Sequence, residues 1–178
     1  FDRQLRGILT SAKTAGDSFP KIEELLQSAA TLNESKSEFD LVAFRLRALW
    51  TLHALGATSL EVTQGLLKEE NENLRAWGIR LLTDSHPIDT TIGPRPNAMP
   101  NPLDSEVFQT FVKLAETDES GLVRLALASS LQRLPLNQRA ELGTALAARS
   151  EDADDHNLPS MVWYGVSPLA DSNPSALV

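Results

Sequence analysis

The feature that most constrains the fold of this chain is a short recurring pattern, an arginine flanked by apolar residues and followed by a helical apolar face. Its copies read "RLRALWTLHAL", "NLRAWGIRLL" and "LVRLALASSL", with the aligned arginines at Arg47, Arg75 and Arg124. These arginines are 28 and 49 residues apart. The second interval becomes about 30 residues without the proline-rich insertion 84–103. A fourth copy, "NLPSMVWYGV", has Pro159 at the arginine position.

Helical periodicity extends through these repeats, whereas the alternating pattern of strands is almost absent. A repeat of this length with two helices per unit is typical of an α-α superhelix, in which each helical pair buries its apolar face only by stacking on its neighbours. We therefore predict an all-α solenoid of armadillo type, with about four helical pairs after an N-terminal helix at 2–14. The predicted pairs are 20–32 with 40–55, 59–69 with 72–83, 104–117 with 119–133, and 136–149 with 156–170.

The domain organisation follows from these pairs. The four repeats occupy approximately 20–55, 59–83, 104–133 and 136–170, so residues 1–178 are expected to form a single repeat domain. The chain begins at Phe1 and stops at "DSNPSALV", where a helix would just be starting. We therefore expect it to be excised from a longer protein.

The net charge and the composition limit the classes of partner that we expect. Sixteen Lys and Arg against 24 Asp and Glu leave a formal net charge of −8, which repels nucleic-acid phosphates and anionic lipid. No apolar run approaches the roughly 18 residues that a membrane-spanning helix needs. We therefore expect neither nucleic acid nor membrane contact in this segment. The expected partners are neighbouring domains of the parent chain or other proteins.

No motif for catalysis or for a cofactor is present. The chain has no cysteine, which excludes a thiolate metal site, a thiol nucleophile and c-type haem attachment within it. His53, His86 and His156 are scattered and form no HExxH motif. There is no GxSxG elbow, and neither GxGxxG nor a P-loop offers a phosphate cradle. We predict no catalytic, cofactor-binding or metal-binding residue, and this segment is not expected to be an enzyme.

The repeated arginines Arg47, Arg75 and Arg124 admit two interpretations. A row of guanidinium groups on one face could bind a phosphate or a carboxylate. Alternatively, each arginine pairs with acidic groups in the adjoining turns, and "SEFD", "EEN" and "TDES" supply such groups just upstream of the three arginines. The structural ladder is the favoured interpretation.

The tryptophans also admit two interpretations. Trp50, Trp77 and Trp163 each fall within a predicted second helix of a pair. They might form a stacking platform for a ligand, but the favoured expectation is that they fill the core, with Tyr164 finding a hydrogen-bond partner at its rim.

In the stretch "EDADDHNLPSMVWYG", residues 151–165, several carboxylates and a histidine precede a tryptophan–tyrosine pair. Asp152, Asp154 and Asp155 lie where a new helix should begin, and Pro159 is tolerated in its first turn. We predict that these carboxylates cap the helix. A calcium site is the alternative, although the spacing lacks the alternating ligands and glycine turn of an EF-hand.

The insertion 84–103 is rich in proline, which forbids helix and favours a stiff, extended connection. Long loops of this kind in compact domains tend to be either functional or merely mobile. Shortening residues 88–100 is expected to leave stability nearly unchanged, because loop length enters closure entropy only logarithmically. The residues of this candidate partner loop are His86, Pro94, Arg95, Pro96 and Met99.

The repeated pattern resembles the second helix of HEAT repeats. More specifically, "NLRAWGIRLL", "GLVRLALASSLQRLP" and "EDADDHNLPSMVWYGVSPL" resemble the HEAT-repeat segment of large planctomycete and verrucomicrobial proteins described as membrane-bound dehydrogenases with a C-terminal haem-binding domain. The resemblance implies a β-propeller dehydrogenase-like domain before the helices and a c-type cytochrome with a CxxCH motif after them. It also implies an extracytoplasmic, periplasmic location.

We therefore expect a non-catalytic scaffold that spaces or docks neighbouring domains of a larger, redox-type protein. The alternative is a small-molecule-binding or enzymatic HEAT-like domain, of the lyase or glycosylase kind. A DNA glycosylase requires a basic concave face, which a chain of net charge −8 does not favour.

Overall fold

The computed structural model of the chain describes residues 38–89 and 100–177. All regular secondary structure in these two stretches is helical, which confirms the all-α prediction. The α-helices are α1 (Glu38–Ala54), α2 (Leu60–Leu66), α3 (Glu72–Thr83), α4 (Ser105–Thr117), α5 (Gly121–Ser130), α6 (Leu136–Ala147), α7 (Leu158–Val166) and α8 (Leu169–Ser172). The predicted helices 2–14 and 20–32 lie outside the described residues, as do Pro94, Arg95, Pro96 and Met99 of the candidate partner loop.

Polar side chains and one glycine set the helix ends. Asn71 accepts the Asn73 N–H at 3.0 Å at the start of α3, and Asp104 accepts the Glu106 N–H at 2.9 Å at the start of α4. Gly56, with φ of 68°, ends α1 in a left-handed conformation that other residues rarely adopt. Such local signals explain why helix positions are predictable from the sequence.

The helices are arranged in two rows. In the first row, α3 packs between α1 and α5, and α5 packs between α3 and α7. In the second row, α4 packs on α6. Each second-row helix also packs on the first-row helix that follows it: α2 on α3, α4 on α5, and α6 on α7. Four pairs of helices two positions apart along the chain are therefore neighbours in space: α1 and α3, α3 and α5, α5 and α7, and α4 and α6.

The core lies between the two rows. Its main cluster extends from the end of α2 to α7 and includes Phe111, Leu127 and Leu142, none of which exposes its side chain. Close approach of α7 is achieved at Gly165, where a Cβ atom would overlap the side chain of Leu131. Because interiors are packed to the density of organic crystals, this contact allows no larger residue without displacement of α7.

The structure describes residues 84–89 and 100–103 of the proline-rich insertion, and both parts are bonded to the helical core. Arg139 is fully buried, and its Nη2 donates to Asp89 Oδ2 at 2.9 Å. At the other end, the backbone of Leu103 exchanges two hydrogen bonds with the Gln138 side chain, at 3.0 and 3.1 Å. The interval 88–100 includes the carboxylate that faces this buried guanidinium, so the structure leads us to expect that its shortening destabilises the protein.

His86 also helps to attach the insertion to the helices. Its Nδ1 lies 3.1 Å from Arg133 O, and Arg133 Nη1 donates to His86 O at 2.7 Å. Of the five residues predicted for a partner loop, the one that the structure describes thus holds the insertion to the end of α5.

Candidate functional site: the groove between α3 and α5

An arginine near the start of α3 joins two turns of the fold. Arg75 donates from Nε and Nη2 to the two carboxylate oxygens of Asp118, at 2.7 and 2.9 Å. Its Nη1 donates to Glu69 O and Glu70 O at 2.8 and 2.7 Å. The guanidinium therefore binds carbonyls of the turn before its own helix and the carboxylate of the corresponding turn in the next pair.

Arg124 repeats this arrangement one pair further along. Its Nε and Nη2 donate to Asp152 at 2.5 and 2.6 Å, and its Nη1 donates to Asp118 O at 2.7 Å. The Asp118 carboxylate accepts hydrogen bonds from Arg75, and the Asp118 carbonyl accepts one from Arg124. The two ion pairs therefore form one connected ladder. The expected carboxylates just upstream do not pair with these arginines, whose Nη1 groups donate to backbone carbonyls of the preceding turns instead.

In the first repeat the ladder residue is Arg45, and the assignment of Arg47 is a misprediction. Arg45 donates from Nη2 and Nη1 to the Glu69 carboxylate at 2.6 and 3.2 Å. Arg47 is exposed, and its side chain makes no hydrogen bond or ion pair within the described part of the chain. Two residues correspond to about 200° around a helix, so these two arginines point in opposite directions.

The Asp118 carboxylate accepts hydrogen bonds from Arg75 and from the Ser120 N–H. Burial raises its pKa, but the hydrogen bonds from Arg75 and the Ser120 N–H, with the charges of Arg75 and Arg124, outweigh burial and leave the pKa below its ordinary value. The hydrogen bond with Asp152 raises the pKa of Arg124 despite burial. Both groups are therefore held charged at neutral pH.

The aspartates of the acidic stretch before α7 have different structural roles. Asp155 Oδ1 accepts the N–H groups of Leu158 and Asn157 at 2.7 and 2.8 Å, and these hydrogen bonds lower its pKa. Asp152 instead pairs with Arg124, and Asp154 is exposed with no side-chain partner among the described residues. Of the three predicted caps, the structure places only Asp155 at the start of α7.

Charge is segregated along the first row of helices. Beyond their first three residues, α1, α3 and α5 contain no aspartate or glutamate, but each contains arginine. The carboxylates gather at the edge formed by the turns that precede α3, α5 and α7. These are Glu69, Glu70, Glu72, Glu116, Asp118, Glu119, Glu151, Asp152, Asp154 and Asp155. A chain with net charge −8 thus exposes two cations, Arg47 and Arg80, on the helices beside an acidic edge.

A groove of about 340 Å³ opens between α3 and α5. Its floor consists of the small buried residues Thr83, Ala126 and Ser130, and both hydroxyls donate to carbonyls of their own helices. The volume lies at the lower end of the range for ligand pockets, about 300–1,000 Å³. The walls and rim are formed by Trp77, Arg80, Asp84, Ile88, Ser129, Gln132 and Arg133.

Trp77 and Arg80 form a stacked pair on one wall. The guanidinium carbon of Arg80 lies 5.1 Å from the Trp77 ring centroid, within the range of a cation–π interaction. On its other side, Trp77 contacts Trp50 with ring centroids 4.7 Å apart and planes tilted by 56°. Arg80 is exposed and makes no side-chain hydrogen bond or ion pair with residues 38–89 or 100–177.

The expectation that the tryptophans fill the core is wrong at two positions. Trp50 is 39% exposed and Trp163 is 58% exposed, and Tyr164 is likewise exposed at 41%. The interior positions beside them are occupied by smaller residues such as Leu49 and Val162. One residue corresponds to about 100° around a helix, which turns the aromatic neighbour away from the core.

The sequence did contain a signal for this surface. Arg80 follows Trp77 by three residues, the spacing that places two side chains on one helix face. Trp50 follows the exposed Arg47 by the same interval. The pairing of Arg139 with Asp89 had no such local signal, because the two residues are 50 positions apart.

In the described ranges, no group of three or more His, Cys, Asp or Glu side chains is arranged to hold a metal ion. No helix of those ranges has the length and apolarity needed to cross a membrane.

No protein-family model, curated protein or solved structure matches the chain.

Proposed function

We propose that this chain is a HEAT-like interaction module that docks or spaces neighbouring domains or other proteins. The observation that carries the proposal is the surface cluster beside the groove, in which the exposed Trp50 and Arg80 contact the half-buried Trp77. Tryptophan and arginine are the residues that most often dominate binding energy at protein interfaces. Large aromatic groups left at the surface of an acidic chain are therefore best explained as contact residues.

The arginine ladder supports a docking role because it limits movement between repeats. Arg75 and Arg124 each connect their own turn to the turn of the next pair by two carboxylate hydrogen bonds. A surface that is already ordered loses less conformational entropy when a partner binds. The ladder thus suits a stack of helical pairs whose exposed face serves as a preformed platform.

The motif resemblance supplies a proposed setting for the module. From the motifs quoted in the sequence analysis, we propose that this chain is the HEAT segment of the haem-binding dehydrogenase proteins named there. In such a protein it would space the two flanking domains. A CxxCH motif in the sequence that follows the chain in its parent gene is the expected finding, and its absence would remove this assignment.

The catalytic alternative has one specific observation in its favour. His53 Nδ1 lies 3.0 Å from Thr58 Oγ1, and His53 Nε2 lies 3.5 Å from Asp84 Oδ2. A nucleophile, base and orienting acid normally lie within about 2.6–3.2 Å of one another. The Asp84 side chain is also 63% exposed, so water competes for it. We therefore favour docking over catalysis.

Site-specific photo-crosslinking tests the docking proposal. A photoreactive residue at position 80 should crosslink, in cells that produce the protein, to a defined segment of a flanking domain or of another protein. The matched control is position 113, since Lys113 is an exposed cation on α4 in the other row. Equal and unspecific crosslinking from positions 80 and 113 would count against a docking surface at the groove.

A further inference from the structure

The groove between α3 and α5 has a chemical selectivity that follows from the charges at its rim. Arg80 and Arg133 are on the rim with one carboxylate, Asp84. Asp84 lies 3.5 Å from His53. The Arg133 Nη1 atom is committed to Asp84 O and His86 O, whereas Arg80 has no hydrogen-bond partner among the described residues. Arg80 therefore offers a guanidinium with no donor committed among the described residues, and this group is suited to a carboxylate.

The cationic character extends beyond the groove along the neighbouring helix. Arg47 is exposed three residues before Trp50, and Trp50 contacts Trp77. Two aromatic rings thus lie between two cations across α1 and α3, in the order Arg47, Trp50, Trp77 and Arg80. No carboxylate of α1, α3 or α5 lies beyond the first three residues of its helix, so these three helices themselves place no acid beside Arg47 and Arg80.

The interior of the groove is suited to an apolar side chain. Trp77, Ile88 and Ala126 contribute apolar walls and floor, and the buried hydroxyls of Thr83 and Ser130 already donate within their helices. A volume of about 340 Å³ accommodates a large side chain. Gln132 on the opposite wall carries an amide that can both donate to and accept from a peptide backbone.

We propose that the groove between α3 and α5 binds an acidic peptide segment, with one aromatic or large aliphatic side chain in the groove and flanking carboxylates on Arg80 and Arg47. This inference rests on the proposed docking function and specifies the class of partner. Burial of the apolar side chain against Trp77 supplies affinity, and the arginines select the charge of the flanking residues.

The test is a titration of the purified chain, followed by Trp fluorescence and calorimetry. The probe is a peptide with one phenylalanine flanked by aspartate and glutamate. Two matched peptides replace the phenylalanine with alanine or the acidic residues with lysine. We expect the acidic phenylalanine peptide to bind, each matched peptide to bind at least about tenfold more weakly, and affinity to fall with added salt.

Variants of the chain locate the binding site. Arg80→Glu should weaken binding at least about tenfold, whereas Lys113→Glu, the same charge change on α4, should leave it within about twofold. Arg80→Lys should bind with intermediate affinity, because lysine keeps the charge but loses the planar stacking on Trp77. Thermal denaturation of Arg80→Glu checks that the fold is intact, which its exposure favours.

Three outcomes would overturn the inference: equal binding of the acidic and lysine peptides, equal weakening by the two charge reversals, or no binding at all. Self-association that is lost in Arg80→Glu would also overturn it, since the occupant would then be the acidic edge of a second copy. A partner crosslinked from position 80 that lacks an acidic segment would leave the docking function standing and remove only the assigned partner class.

Discussion

Arg124 and Asp152 form a buried ion pair with two hydrogen bonds, at 2.5 and 2.6 Å, across 28 residues of the chain. Their side chains are only 4% and 10% exposed. The pair connects the start of α5 to the turn before α7, so it fixes one repeat against the next.

Removal of this guanidinium should destabilise the protein strongly. Arg124→Met leaves the Asp152 carboxylate buried without that partner and is expected to lower the free energy of unfolding by about 3–5 kcal/mol. The double variant Arg124→Met/Asp152→Leu should recover most of that loss, because it removes both charges. Urea denaturation measures both. A single variant that loses less than about 1 kcal/mol would show that the ion pair is not a structural connection.

The two arginines of "RLR" should behave differently. Arg45→Ala removes two hydrogen bonds to Glu69 in a half-buried pair and should lower the free energy of unfolding by about 1 kcal/mol. Arg47→Ala changes an exposed side chain and should stay within about 0.5 kcal/mol of the parent. Thermal denaturation of the two variants side by side is sufficient. The opposite order would restore Arg47 as the ladder residue.

Asp89 should be essential for stability although it lies within the proline-rich insertion. Asp89→Ala removes a carboxylate from the fully buried Arg139 and is expected to cost about 3–5 kcal/mol. Asp84→Ala serves as the control, since its carboxylate is 63% exposed and its removal should cost less than about 1 kcal/mol. Similar losses for the two variants, measured by chemical denaturation, would contradict the anchoring role of Asp89.

Asp118 should make stability depend on acid pH. Its pKa in the folded protein lies below the ordinary value of about 3.9, so its contribution is fully present above that pH and is lost as pH falls through the folded-state pKa. The wild type should therefore exceed Asp118→Asn in stability at pH 7, and the difference should shrink as pH falls from about 5 to 2. A difference that stays constant over this range would show that the carboxylate charge is not what stabilises the turn.

Asp155 should act as a helix cap that does not need metal. Asp155→Ala removes the acceptor for the Asn157 and Leu158 N–H groups and should lower the melting temperature by a few degrees. Asp154→Ala, at an exposed neighbour, should leave it unchanged. Both results should be the same with calcium or with chelator. A calcium-dependent rise in the wild-type melting temperature, lost in Asp155→Ala, would instead establish a metal site.

Helix positions were predictable because their signals are local. The sequence predicted a helix over 72–83, and α3 has these bounds. Apolar periodicity, a capping asparagine before the helix and a glycine with positive φ at the end of α1 act within a few residues. Each of these features can therefore be recognised without knowledge of the packing.

The ladder and the groove were only partly predictable because they depend on which helices become neighbours. The sequence determined that Arg75 and Arg124 recur in helical repeats, but the tertiary structure decided that their carboxylates come from residues 43 and 28 positions downstream. It also decided that Trp50 faces solvent and contacts Trp77. Periodicity specifies a helix face only relative to its own axis, whereas the rotation of each helix against its neighbours is set by close packing of the whole array.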